Sequence, residues 1–265
     1  MNQDPDLLDD ARMLRAIRVI EAVCDAAMPL SVPQLAIRTE IPKATLARLV
    51  ATLVSSGYMS FVPGRRELVP GPRSARLGIR ALGNGHFRRE CRAVLRDTVA
   101  RLGETCNLVV RDGDSVMYIE RVETDAPLRM HLEPGARAPL HCTAGGKLFL
   151  SQMPRPERDR LLSVYQLQRR TPATLVDLPI LKIELDRLQK LGLGMDNEEF
   201  VAGMVGIAVP VRATDNGAVL AALVCHAAAA RATLRELESK LPLLRAAAGR
   251  IELLLNPVRP GPEDE

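Results

Sequence analysis

The chain has no tryptophan and few aromatic residues of any kind, 3% of 265. Its core must therefore be filled by Leu, Val, Ile and Ala rather than by packed rings. No run of about 18 apolar residues occurs, which excludes an ordinary transmembrane helix and predicts no membrane partner. Met1 to Asp10 is acidic and polar, with no apolar stretch behind a basic start. A secretory signal is not expected there, and a cytoplasmic protein is. Cysteine is sparse and unpatterned: Cys24, Cys91, Cys106, Cys142 and Cys225 show neither CxxC nor metal-finger spacing, which predicts reduced, mostly buried thiols. With 47% hydrophobic and 26% charged residues the chain is no disordered tail, and its length suits two domains.

Charge is placed unevenly. From Arg12 to Gly83, eleven Lys and Arg stand against four Asp and Glu, whereas the residues after Gly83 are close to balanced. A small basic module joined to a neutral one is the arrangement expected when the first part meets a polyanion.

Within the basic module, Leu14, Ile17, Ile20, Val23 and Cys24 recur at helical spacing and predict a first helix over 11–27. Pro29 ends it. Ser31, with Gln34 three residues on, forms a capping-box pattern that opens a second helix through Arg38. After a short turn, Pro42 suits the first position of a third helix, in which Leu46, Leu49, Val50 and Leu53 make the buried stripe before Gly57 stops it. The other face shows Lys43, Ala44, Thr45, Ala47, Arg48, Ala51 and Thr52, with no acid. Small side chains let a helix sink into the major groove. Arginine can pair with guanine there, and Thr or Ala methyls can touch thymine. A solvated face beside a three-helix core would look the same on one helix alone. The residues C-terminal to this helix separate the two readings: strand-like Tyr58–Val62, a Pro63-Gly64 turn, and a return strand from Glu67, with Arg65-Arg66 at the tip. A basic hairpin directly after such a helix is a wing, suited to phosphate or minor-groove contacts.

Beyond 86 the pattern alternates. A helix is expected over 86–102, then strands near 106–111, 116–122 and 128–132. Helices come next at 144–151, 156–164 and 178–191, then strands near 193–196, 206–212 and 218–225, and a closing helix over 234–255. Antiparallel strands flanked by helices make an α+β sensor-type domain. The boundaries expected are 11–73 for the winged module, 74–85 for a linker helix and 86–256 for the second domain.

Arg15–Glu21, Pro29–Ala36, Ile41-Pro42-Lys43-Ala44-Thr45 through Arg48-Leu49, Gly57-Tyr58, and Leu68–Pro72 together resemble the IclR family of bacterial regulators. That family shows a pattern close to Leu-Pro-Lys-Ser-Thr-x-x-Arg-Leu on its recognition helix; here Ile41 and Ala44 replace the Leu and the Ser. Leu140-His141 with Gly146-Lys147, and Gly194 through Glu199, are similar to family segments of the second domain. The resemblance implies an N-terminal winged helix-turn-helix, a linker helix and a GAF-like α/β effector-binding domain. It further implies a homodimer or homotetramer on a palindromic double-stranded operator, and an effector that is a carboxylic or aromatic acid. Ser31, Arg38, Lys43, Ala44, Thr45, Arg48, Arg65 and Arg66 are the DNA-contact candidates. Thr143, Ala144 and Gly145 could open a helix toward an anion, although a tight packing turn needs the same glycines. Met117, Leu128, Met130, Cys142, Asp196, Ala208, Cys225 and His226 complete the effector candidates, with capping a turn as the plain alternative for Asp196. Acid-binding relatives often carry Ser-x-Ser on the late strand, where this chain reads Val224-Cys225-His226. A carboxylate grip there falls to His226 or is absent, which points to an effector larger, aromatic or less acidic than glyoxylate and pyruvate.

Two other functions compete. His141-Cys142 and Cys225-His226 suggest a thiol–imidazole enzyme or a zinc site, yet adjacent strand residues point to opposite faces, leaving only a cross pair such as Cys142 with His226. A DNA-binding dimer with no ligand is the second. Gly145-Gly146-Lys147 lacks the first glycine and the Ser/Thr of a phosphate loop, and Gly192-Leu193-Gly194 comes after a helix rather than a strand, so no nucleotide motif is present. No catalytic residue, metal ligand or cofactor is expected.

Overall fold

The computed structural model describes residues 5–26, 28–82, 85–127, 132–214 and 217–255. Two compact units divide at Asn84/Gly85.

The first unit holds α1 (Pro5–Cys24), β1 (Leu30–Ser31), α2 (Val32–Thr39), α3 (Lys43–Ser55), β2 (Met59–Phe61), β3 (Glu67–Pro70) and α4 (Pro72–Leu82). The expected stripe of α3 is buried as a whole: Leu46, Leu49, Val50 and Leu53 meet Val19 and Val23 of α1, Leu35 of α2 and Ile41 of the turn. Gln34 Oε1 accepts from both the Ser31 amide and its hydroxyl, each at 2.8 Å, which closes the start of α2. Glu40 carries the chain through a left-handed turn, φ 57°, into α3. Helix α3 begins at Lys43 with Pro42 as its cap, one residue later than the sequence predicts. The hairpin β2–β3 is antiparallel, and β1 adds to the far edge of β3 by pairing Leu30 with Leu68. The apolar pattern of α1 departs from expectation. Met13, Leu14 and Ile17 are exposed, Cys24 is exposed too, and among the side chains described Val19 and Val23 enter the core fully buried. The helix thus carries two apolar stripes, of which the three-helix core takes one. Helix α4, expected as a linker, is anchored at its start within this unit. The Ser74 hydroxyl donates to Tyr58 O at 2.8 Å, and the Arg73 guanidinium lies 4.8 Å from the Tyr58 ring centre.

The second unit comprises α5 (Gly85–Leu102), β4 (Thr105–Asp112), β5 (Ser115–Val122), β6 (Arg137–Pro139), α6 (Ala144–Gln152), α7 (Arg155–Val164), α8 (Leu178–Leu191), β7 (Gly194–Asn197), β8 (Met204–Arg212), β9 (Val219–Ala228), α9 (Leu234–Ser239) and α10 (Leu241–Leu255). Among the described residues its strands form one antiparallel sheet ordered β6-β5-β4-β9-β8-β7. One face packs on α5, α9 and α10 through Cys91, Leu95, Ile207, Leu223, Cys225 and Ile251 among others. Helix α6 covers the opposite face over β7, β8 and β9, with α8 packed on α6. The closing helix is two helices, because Pro242 cannot donate to the preceding turn and resets the helix behind Lys240. The strand expected at 128–132 falls largely outside the described residues.

Close approach fixes Gly194. A Cβ on Gly194 would run into Ala144 O and sit 2.9 Å from Leu148 Cβ, because β7 presses directly on the first turn of α6. Gly194→Ala is therefore expected to destabilise the second unit by about 1–3 kcal/mol through overpacking, read as a lower urea midpoint at unchanged slope.

Candidate functional site

Helix α3 presents Lys43, Ala44 and Arg48 exposed and Thr45 half-buried, on a helix free of Asp and Glu. Arg38 stands exposed in the last turn of α2. Arg65 and Arg66 sit at the exposed hairpin tip, where Arg65 lies 3.7 Å from Glu67. Ser31 is half-buried, and its hydroxyl is spent on Gln34. These residues are all in the first unit, and those of α3 form one continuous face.

In the second unit a cavity lies between the sheet and the start of α6. It is narrow, with about 20 Å³ open to the centre of a water-sized sphere, room for about one water. Thr143, Ala144, Gly145, Asp196 and His226 line it. Cys225, from the same strand as His226, faces the helical core on the other side of the sheet, and Met117 likewise points away from its lining neighbours Val116 and Tyr118. Ala208 shares the cavity's face of β8 but pairs with Gly194 beyond the space, and Cys142 is buried outside the lining. Strand alternation and the cover of α6 leave these four side chains outside the lining. Leu128 and Met130 lie outside the described residues.

Sequence reading missed several walls. Val109, Tyr118, Val224 and Phe200 line the cavity, and Phe200 also borders an open groove beside Tyr165 and Arg170. A β-bulge reorders the faces of β5. The pairing of β4 with β5 shifts between Leu108 and Val109, so Tyr118 opposes Val109 while Glu120 opposes Leu108. Ile119 is the extra residue. Tyr118 and Arg121 consequently share the cavity's face, while Glu120 turns toward Arg88 and Arg92 of α5, at 3.3 and 3.4 Å. Behind His226 lies a buried polar group. Asn107 Nδ2 is 3.0 Å from His226 Nδ1, Arg121 Nη1 donates to Asn107 Oδ1 at 2.8 Å, and Arg121 Nε donates to Glu123 at 3.0 Å.

At the helix terminus the Thr143 hydroxyl accepts from the Gly146 amide and donates to Pro139 O. The two glycines have different roles. A Cβ on Gly146 would strike the Leu140 backbone, which makes it a packing glycine, whereas one on Gly145 would stand 2.8 Å from a Val109 methyl at the cavity. Asp196 Oδ1 accepts from the amides of Glu199 and Phe200, at 2.8 and 3.3 Å, so it caps the β7–β8 turn while lining the cavity. Burial, reinforced by Glu199, pushes its carboxyl up to about 7. Lys147 is fully buried and ion-paired with Glu199, so its charge is used within the fold rather than on a phosphate.

The cysteines do not suit nucleophilic chemistry. Burial first, then Asp196 and Glu199, pushes the Cys142 thiol up to about 12, which leaves it protonated at neutral pH. His141 is held by Tyr165 and by Gln168 O, which fixes a wall of the open groove. Among the described residues no three His, Cys, Asp or Glu converge to hold a metal, and no helix is long and apolar enough to cross a membrane.

The raised Asp196 carboxyl makes a pH prediction. Its folded-state value lies above the unfolded one, so its stabilisation is complete below about pH 4 and lost as pH rises through about 7. His226, pushed down to about 3, acts oppositely, losing stability as pH falls from about 6.5. The two slopes overlap, so the quantity to measure is a difference. Asp196→Asn keeps an oxygen for both amides and is expected to gain in melting temperature, relative to wild type, between about pH 4 and pH 8. A difference independent of pH would show that Asp196 is ionised throughout.

Comparison with known proteins agrees with this geometry. A family model described as the IclR helix-turn-helix domain matches residues 13–63, and one described as the bacterial transcriptional regulator IclR C-terminal matches residues 79–253. The chain is 37% identical over 239 residues to the probable transcriptional regulator SauR of Cupriavidus necator, covering 90% of this chain and 94% of that one. The crystal structure of the Thermotoga maritima IclR superposes with a TM-score of 0.61 at 26% identity, over 92% of this chain and 98% of that one. The inducer-binding domain of PobR from Acinetobacter, a double mutant solved with 3-hydroxybenzoic acid, gives 0.58 at 29% identity, over 63% and 98%.

Proposed function

Since the chain belongs to the IclR family of bacterial transcriptional regulators, we propose that it reads a palindromic operator as a homodimer or homotetramer and adjusts its grip when a small acid enters the second unit. It is a transcriptional regulator with a helix-turn-helix and an effector-binding-type domain. The observation that carries the DNA reading is the exposed, acid-free face of α3 followed by an arginine-tipped hairpin. One such helix reads a half-site, and a two-fold partner supplies the other. The exposed Met13, Leu14 and Ile17 of α1 offer an apolar surface for that pairing. A carboxylic or aromatic acid as effector is supported by the cavity at the start of α6 and by the hydroxybenzoate bound in the PobR domain.

The narrowness of the cavity favours a second reading, a DNA-binding dimer whose second unit takes no ligand. One experiment separates them. The purified chain is shifted on its own upstream DNA against scrambled DNA across a salt series, then challenged with a panel of aliphatic and aromatic acids. Sequence-dependent binding that weakens with salt supports the regulator. An acid that changes operator affinity by about 5–150-fold supports the effector. Equal binding to scrambled DNA would refute operator reading, and operator binding indifferent to every acid would leave the ligand-free dimer.

A further inference from the structure

The open groove beside the cavity is the roomier of the two spaces. It has about 520 Å³ open to the centre of a water-sized sphere, against about 20 Å³ in the cavity. That is the scale of small-molecule clefts, roughly 300–1,000 Å³. One wall of the groove is rigid. Gln168 O can only accept, so His141 Nε2 donates to it at 2.9 Å. Burial lowers the imidazole below its ordinary value, which keeps it neutral at pH 7 and leaves Nδ1 an acceptor. The Tyr165 hydroxyl, 3.4 Å away, donates to that nitrogen and accepts from the Leu140 amide at 3.1 Å. The tyrosine ring is thus held edge-to-face against His141, centres 5.5 Å apart, with its polar atom already bonded. What this wall offers a ligand is ring surface. The charge comes from further along the same segment. Arg170 is exposed and its guanidinium lies 5.5 Å from the Phe200 ring centre. That guanidinium has no acid partner or hydrogen-bond acceptor among the described residues. Stacking occupies one of its faces and leaves the N–H fork open. Arg137, also in the groove, is already matched, its Nε donating to Asp112 at 2.6 Å, and Asp114 just before β5 repels an anion at that end. Among the described groove residues, the unmatched cation is therefore Arg170.

We propose that this groove is a second ligand site, separate from the cavity, for a small anion carried on a flat ring, with the anion on the Arg170 guanidinium and the ring against Tyr165 and Phe200. An aromatic carboxylate is the simplest such ligand. The two features act together. An exposed ion pair is weakened by water and salt, so a bare anion gains little from Arg170. A neutral ring meets the aromatic wall but leaves the guanidinium fork without an acceptor. Joining them lets the ring contacts hold the anion in place against the cation. The site goes beyond the acid-effector reading of the cavity and stands whether or not an acid enters there. Phe200 lines both spaces, so a ligand in one leans on a wall of the other. The two have to be told apart by where a bound ligand is felt.

The three tyrosines make the full chain its own reporter. Tyr165 lines the groove, Tyr118 lines the cavity, and Tyr58 belongs to the first unit. The chain is labelled with tyrosine carrying 13C at the ring ε positions, which leaves the hydroxyl chemistry untouched. Tyr58→Phe and Tyr118→Phe identify two of the signals, and the third is Tyr165. Benzoate, 4-hydroxybenzoate and 2-naphthoate are titrated beside benzamide, acetate and sodium chloride. At least one aromatic acid is expected to shift the Tyr165 signal to saturation, with Tyr58 unmoved and with benzamide, acetate and chloride producing no saturating shift. Arg170→Gln should raise that midpoint about tenfold or more and leave any Tyr118 midpoint where it was, and Arg170→Lys should recover part of the loss. A Tyr165 signal that no aromatic acid moves overturns the proposal. So does an equal response to acetate or chloride, which would mean general attraction of anions, or a midpoint indifferent to Arg170→Gln. A single midpoint shared by Tyr165 and Tyr118 overturns it too, because the ligand would then sit in the cavity and be felt through Phe200. A response at Tyr118 alone removes the groove site while sparing the acid-effector reading, and a response at Tyr165 alone does the reverse.

Discussion

Arg48→Ala is expected to weaken operator binding by about 1–3 kcal/mol for each half-site it contacts bidentately, hence about 2–6 kcal/mol in a two-fold assembly. The expectation rests on where α3 puts this side chain. Arg48 is exposed in the second turn of the helix, and the residues around it on that face, Ala44, Ala47 and Ala51, are too small to hold the helix away from base edges. Opposite them, Leu46, Leu49 and Leu53 lock the helix to the core, so the arginine is presented from a rigid support. The comparison that gives the result meaning is Arg65→Ala at the hairpin tip. A phosphate contact there should weaken binding alike on operator and scrambled DNA and reduce the salt slope by about one. Loss confined to the operator marks Arg48 as a base reader. Equal loss on both DNAs would reassign it to the backbone and move sequence reading to Lys43 and Thr45.

Legibility in the sequence divides by range. Helix α3, its buried stripe and the hairpin after it are set by periodicity, caps and turn residues within a few positions of one another. Helix α8 spans the residues its pattern predicts, because Asp177 caps one end and Gly192 takes the left-handed conformation at the other, φ 64°. Features made by distant segments were hidden. Strand β1 exists only because β3 offers an edge to Leu30 and Ser31. The bulge at Ile119 reverses the face of every later residue of β5, so simple alternation could not find Arg121. Other misses were avoidable. Cys225 and His226 cannot both face one cavity from a regular strand, and Pro242 announces a break in the last helix. Asn107 carried no signal, since a single Asn in an apolar strand declares its partners only when strands β5 and β9 flank it.

Lys147→Met should be the most damaging single change in the second unit, about 3–5 kcal/mol at neutral pH. The lysine is 1% exposed, bonded to Glu199 and 3.8 Å from Glu184 Oε1. Glu199 is itself buried, and its second oxygen, Oε2, has no hydrogen-bond partner among the described residues. Removing the ammonium leaves a carboxylate in a dry setting with almost nothing to compensate its charge, a large share of the usual stability of a domain. Burial already pushes the Glu199 carboxyl above its ordinary range in the presence of Lys147, and without that cation it rises further. That direction sets the sign of the pH dependence. A carboxyl raised in the folded state withholds its stabilisation at high pH, so the deficit of Lys147→Met relative to wild type should shrink as pH falls toward the ordinary carboxylate range. Adding Glu199→Gln should recover most of the loss at neutral pH, because replacing both charges is far milder than stranding one. A single-variant loss below about 1 kcal/mol would mean that water reaches the pair. The functional consequence is local to the cavity. Glu199 lies between the Asp196 cap and Phe200, and its carbonyl accepts from the Thr174 hydroxyl at 2.7 Å, so the pair pins the turn that forms one wall. At temperatures where the variant still folds, its response to acid is therefore expected to fail while the α3 face, in the other unit, goes on binding operator.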